Sequence, residues 1–253
     1  MKNWLHDVVK HTKPFELGKR DSDSFGMVYV QPDEDRTKIY AVSDDKQVVM
    51  FGETDKCLFE GSTGWGLQTT HLEKYLTSDA LGVDPVITCE YATDNKKHLW
   101  PSQFLFSSAS GGISACHRNM CPEFAKEIKR VNFKAPIPTL SIELSPNVLD
   151  RFSSLTKLKD WTSKDSFVEM YLEEGRFLVV SGDHSTLENT RVVLQQDIDI
   201  GDTMKWNFPL DLINKALSVS GDKTLLIYNE GALEIYCESY YSQWRYIFPA
   251  QAK

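Results

Sequence analysis

Long apolar runs are absent from this chain of 253 residues. No stretch comes near the roughly 20 residues needed to cross a bilayer. The first residues, MKNWLHDVVKH, hold no apolar core of signal-peptide length. A soluble protein of the cytoplasm is expected. Cysteine is scarce too: Cys57, Cys89, Cys116, Cys121 and Cys237 are odd in number and follow no framework spacing. That excludes a disulfide-built secreted scaffold and points to free thiols in a reducing compartment. Cys116-His117 with Cys121 comes nearest to a metal set, but no second Cys/His pair stands at finger-like spacing. Positive charge is in deficit, with 28 basic against 36 acidic residues and a net charge of −8. Residues 1–140 are nearly balanced, with 17 basic and 19 acidic groups; residues 141–253 hold 11 and 17. This argues against a simple basic nucleic-acid binder, yet leaves room for one basic face on an acidic remainder.

Catalytic signatures are missing as well. There is no G-x-x-x-x-G-K-[ST] to cradle a phosphate and no G-x-S-x-G elbow. Asp183 and His184 are adjacent, and neighbours on a strand point apart, whereas a dyad needs convergence. The run Asp197 to Asp202 is faintly like a calcium loop, but its twelfth position is Phe208, which cannot ligate. The carboxylate-rich turns need only be solvated loops. The reading is of a protein that is not an enzyme and carries no metal or cofactor.

What is present is a unit that occurs twice. An amphipathic helix over 2–12, apolar at Trp4, Leu5, Val8 and Val9, opens the first half. Short strands follow at 26–31, 37–43 and 46–51, rich in Val, Ile and Tyr. After a loop at 61–66, Thr70 and Glu73 have the spacing of a capping box for a helix over 70–79. Strands return at 85–91, 99–107 and 112–117, with Gly111-Gly112 as a turn. Residues 121–138 break the rhythm and read as a connector, extended at its proline-rich end. The second half repeats the order. A strand at 139–144 leads through Ser145-Pro146 into a helix ending near 159. Strands at 166–172 and 176–180 join through Glu173-Glu174-Gly175, and another covers 189–195. Pro209 opens a fourth helix, and strands at 223–228, 232–237 and 242–248 close the chain. Hairpins this short demand antiparallel sheets, so the fold class is α+β. The domains are 1–120 and 139–253.

The layout resembles that of DNA polymerase sliding clamps, the two-domain type of tailed bacteriophages first and proliferating cell nuclear antigen more distantly. The resemblance rests on WLHDVVK, the connector end APIP, LSPNVLDRFSSL, YLEEGRFLVVSGD, FPLDLINKALSV with TLLIYNEGALEIY, and WRYIFPAQ. It implies two similar clamp-type domains, with antiparallel sheets outside and two helices per domain inside. It also implies a homotrimeric ring, because a ring of six such units needs three chains. Duplex DNA would thread the hole without sequence readout, and the ring would tether a replicative DNA polymerase after opening by a clamp-loader ATPase. If the source is viral, the compartment is the host cytoplasm.

Phosphate contacts without base readout hold weakly and permit sliding. The helices offer Lys2, His6, Lys10 and Lys13, then Lys74, then Arg151 and Lys157 opposed by Asp150, and last Lys215 beside Asp211. The family's pocket for a polymerase tail would fall at Ile137 and Pro138 with Tyr246, Phe248 and Pro249. The competing readings are a β-rich viral structural or interaction protein without a DNA role, and a hydrolase whose site is hidden from sequence.

Overall fold

The computed structural model describes residues 1–15, 27–43, 47–126, 137–157, 167–181, 190–199, 204–228 and 231–251. Asp183 and His184 lie outside the described residues, as does part of the run 197–202. The chain divides into two compact units. The first is Met1–Asn132 with Ser239–Trp244; the second is Phe133–Glu238 with Arg245–Lys253.

In the first unit, helix α1 (Lys2–Thr12) buries Trp4, Leu5, Val8 and Val9, the face its 3.6-residue period marks out. Strands β1 (Met27–Pro32), β2 (Thr37–Val42), β3 (Val49–Thr54) and β4 (Trp65–Gln68) form a sheet in the order β4-β1-β2-β3. All the pairings are antiparallel: Tyr29 faces Tyr40 and Gly66, and Ala41 faces Met50. Helix α2 (Thr69–Leu76) follows β4 without a break. Strands β5 (Val86–Thr93), β6 (Leu99–Ser107) and β7 (Ser114–Arg118) make a second sheet, ordered β5-β6-β7. A short helix, α3 (Pro122–Ala125), opens the stretch read as connector.

The second unit contains β8 (Leu140–Glu143), α4 (Pro146–Lys157), β9 (Phe167–Glu173), β10 (Arg176–Ser181), β11 (Thr190–Gln195), β12 (Met204–Pro209), α5 (Leu210–Ser218), β13 (Asp222–Tyr228) and β14 (Ala232–Glu238). The last strand is β15 (Ser242–Pro249), which belongs to this unit from Arg245 on. One sheet runs β11-β10-β9-β12, and the other places β15, β14, β13 and β8 in that order. Glu174 and Gly175 both have positive φ, the requirement of the two-residue hairpin closed by the pair Glu173 and Arg176.

The duplication is thus real at the level of topology. The order β3-β2-β1-β4 of the first unit matches β11-β10-β9-β12 of the second, each followed by its helix, and β5-β6-β7 matches β13-β14-β15. One member has no counterpart: among the described residues, nothing in the first unit corresponds to β8.

Three local expectations differ from the structure. Strand β4 falls partly in the segment read as a loop. Gly66 within it and Gly64 just before it are there because the chain is crowded: a Cβ on Gly64 would lie 2.0 Å from the Tyr29 hydroxyl, and one on Gly66 would lie 2.9 Å from Met120. Strand β12 was not foreseen, because its run MKWNFP lacks clean alternation. The capping box does not form. Helix α2 begins at Thr69 with Gln68 at the cap and no side-chain cap bond, and the Glu73 carboxylate pairs with Lys13 instead.

Candidate nucleic-acid interface

Helices α1 and α2 are in contact, and Lys13–Glu73 links the end of one to the middle of the other. Their outward residues are mostly cationic or neutral. Lys10, Lys13, Lys74 and His71 are exposed. The one acidic residue of α1, Asp7, is turned inward and buried. Lys13 is held by Glu73, and two more expected members are partly taken up. Lys2 is half-buried; its Nζ binds Asp84 Oδ1 at 2.7 Å and donates to the Val83 carbonyl at 2.7 Å. His6 is half-buried, and burial followed by the charge of Lys2 lowers its pKa, so it is neutral at pH 7.

The second unit's helices are mixed in sign. Arg151 is exposed but donates to the Val193 carbonyl of β11 at 3.3 Å, which ties it to that strand. Asp150 and Asp211 are exposed, and Lys215 is half-buried. Lys157 ends α4, and its side chain is outside the described residues.

The expected partner contacts divide. Ile137 is 91% exposed, and Pro138 is exposed beside it. Tyr246 and Phe248 are wholly buried and fill the core; Pro249 is half-buried. Aromatic side chains on a last strand gain most by burial, so their presence in the sequence does not distinguish a surface pocket from a core. Among the described residues no three His, Cys, Asp or Glu side chains converge on a metal position. Cys116 is exposed and interacts with Gln103. His117 is buried, and burial, with a smaller effect from His71, holds its pKa down at about 4.

Sequence reasoning passed over a buried polar cluster in the first unit. The Asp7 carboxylate accepts hydrogen bonds from Ser239 Oγ (3.1 Å), Trp244 Nε1 (3.1 Å) and Ser242 Oγ. His11 Nε2 lies 3.5 Å from Asp7, and its ring stacks on Trp244 at 4.5 Å. The signal was present: Asp7 and His11 sit three and seven residues after Trp4, on the stripe that faces the core. A second cluster holds the other unit. Glu234, 1% exposed, takes a two-pronged contact from Arg245 (2.6 and 2.7 Å) and a hydrogen bond from the Tyr228 hydroxyl at 2.7 Å. Burial, then that bond, pushes the Tyr228 pKa up to about 12.

No protein-family model matches the chain, and no curated protein matches it in sequence. Solved structures do. The PCNA of A. fulgidus, solved with the C-terminal region of FEN-1, aligns over 100% of this chain and 96% of its own, with a TM-score of 0.68 at 9% identity. The C. crescentus beta sliding clamp aligns over 100% of this chain with a TM-score of 0.68 at 13% identity. The Helicobacter pylori beta clamp bound to a DNA ligase peptide aligns over 98%, with a TM-score of 0.63 at 14% identity. The chain spans 64% of the length of these bacterial clamps. This chain has the sliding-clamp fold: α+β, with antiparallel sheets and two similar clamp-type domains. No helix among the described residues is long and apolar enough to cross a membrane.

Proposed function

We propose that this protein is a sliding clamp of DNA replication. Three copies close into a ring of six units around duplex DNA and tether the replicative polymerase, with a loader ATPase opening the ring. It has no catalytic activity of its own. The observation that carries this reading is the end-to-end match to the A. fulgidus PCNA over 100% of this chain and 96% of that one. Two features support it. The exposed face of α1 and α2 is cationic although the whole chain is acidic, which is what holding phosphates loosely requires. Strands β7 and β11 are edges of their sheets, and pairing them between copies removes edges that would otherwise invite aggregation.

Lys10, Lys13 and Lys74 are the main DNA-facing groups in this reading, with Arg151, Lys157 and Lys215 secondary. Ile137, Pro138 and Pro249 are the partner-facing ones. The test is the absolute mass in solution, followed by retention on DNA. A particle of three times 28.9 kDa that stays on closed circular DNA after loading and leaves linear DNA is the expected result. A monomer at all concentrations, indifferent to DNA topology, overturns the proposal.

A further inference from the structure

The cationic face of α1 and α2 carries its own competitors for phosphate. Four lysines stand on it: Lys2 and Lys10 of α1, Lys13 at the C-terminal cap of α1, and Lys74 of α2. Lys10 and Lys74 are exposed and pair with no carboxylate among the described residues. The other two are each held by an acid. Lys2 Nζ lies 2.7 Å from Asp84 Oδ1, and Lys13 Nζ lies 2.5 Å from Glu73 Oε1.

The two pairs differ in what they do. Lys2 is half-buried and also donates to the Val83 carbonyl at 2.7 Å, so that contact fastens the head of α1 to the segment before β5. Lys13 and Glu73 keep 55% and 37% of their side chains exposed, so a phosphate can approach the same ammonium. The Glu73 carboxylate is not needed by its own helix. Gln68 holds the cap position without a side-chain bond, and Thr77 bonds to the Glu73 backbone carbonyl through both its N–H and its hydroxyl. An exposed ion pair contributes little to stability. It does act on an incoming anion, because a carboxylate repels phosphate across the roughly 10 Å over which charges are felt at 0.1 M salt.

We propose that Glu73 loosens the grip of the α1–α2 face on DNA: its carboxylate competes with a backbone phosphate for the Lys13 ammonium. The face then presents Lys10 and Lys74 at full strength and Lys13 only when a phosphate displaces Glu73. A hold of this kind favours movement along the duplex over fixed binding, since each phosphate contact given up lowers the affinity for every position alike. The inference rests on the clamp reading and adds to it a residue that tunes the DNA contact.

The probe is a short fluorescein-labelled duplex added to the full chain, with binding followed by anisotropy from low to physiological salt. Glu73→Gln should bind several-fold more tightly at low salt. It should also steepen the slope of log K against log salt by up to about 0.9, the share of one phosphate contact. Lys13→Gln should weaken binding, and the double variant should be no tighter than Lys13→Gln alone, because the effect of Glu73 passes through Lys13. Glu34→Gln, which removes the same charge from the exposed turn between β1 and β2, should stay within twofold of wild type. Three results overturn the proposal and leave the clamp reading standing: Glu73→Gln matching a wild type that binds duplex, in both affinity and slope; a gain from Glu73→Gln that persists without Lys13 or is equalled by Glu34→Gln, showing a general charge effect; or an early thermal melt of Glu73→Gln, marking the pair as structural. A wild type that binds no duplex at low salt and is not retained on closed circles after loading overturns both.

Discussion

Replacing Asp7 by alanine should cost the first unit about 3 kcal/mol. Asp7 lies at the core face of α1 and binds three donors from the 239–244 stretch. Some donors keep an alternative: Ser239 Oγ also reaches the Ser242 carbonyl at 2.9 Å, and Trp244 Nε1 reaches Ser242 Oγ at 2.6 Å. The loss is therefore smaller than three charge-assisted bonds at about 1.5–3 kcal/mol each. It sits near the lower end of the roughly 3–5 kcal/mol for breaking a buried charged pair. In a chain of this size that is a fall in Tm of roughly 6–12 °C.

The pH dependence follows from the same geometry. Burial alone raises the carboxyl pKa, but His11, Ser242 and Trp244 more than reverse this, so the net shift is downward from 3.8. A lowered carboxylate pKa contributes stability above the unfolded value and loses it as pH falls through the folded one. The gap between wild type and Asp7→Ala, measured by urea unfolding at constant m, should hold from neutral pH down to about 5 and narrow below about 4. A gap under 1 kcal/mol at pH 7, or one that widens in acid, refutes the argument.

His117 is buried with its pKa at about 4, against 6.5 for the free side chain. The unfolded chain therefore takes up the proton first, and stability should fall by about 3 kcal/mol between pH 6.5 and 4; urea titrations of wild type and His117→Phe check it, the variant lacking that slope. Gly52→Ala would put a Cβ 2.6 Å from the Trp244 ring, which His11 and Asp7 hold in place, and should cost about 2–3 kcal/mol by overpacking. Arg245→Ala leaves the Glu234 carboxylate buried without its cation and should cost about 3–5 kcal/mol. Glu234→Gln leaves Arg245 able to reach water and should cost less, so the reverse order in thermal melts contradicts the account. Reversing charge at Lys10 and Lys74 together should cut stimulation of the cognate polymerase on circular template several-fold with Tm unchanged; equal stimulation would remove these helices from the DNA face.

Much of the architecture was legible in the sequence because it depends on periods the chain carries locally. The four longer helices, the hairpin at Glu174-Gly175 and the duplicated order all follow from apolar spacing, β-branched runs and residues that tolerate positive φ. So does the core face of α1. Tertiary structure alone decided the rest. β4 pairs although Gly64 before it and Gly66 within it read as a loop, because only glycine lets Tyr29 and Met120 come so close. Glu73 leaves its own helix terminus for Lys13, since a contact across helices outcompeted a local cap. Lys2 and His6 fall on the polar side of α1 by period, but Val83 and Asp84, distant in sequence, take up the one, and burial, with a smaller effect from Lys2, lowers the pKa of the other. Tyr246 and Phe248 are core and Ile137 is surface, a difference composition cannot express.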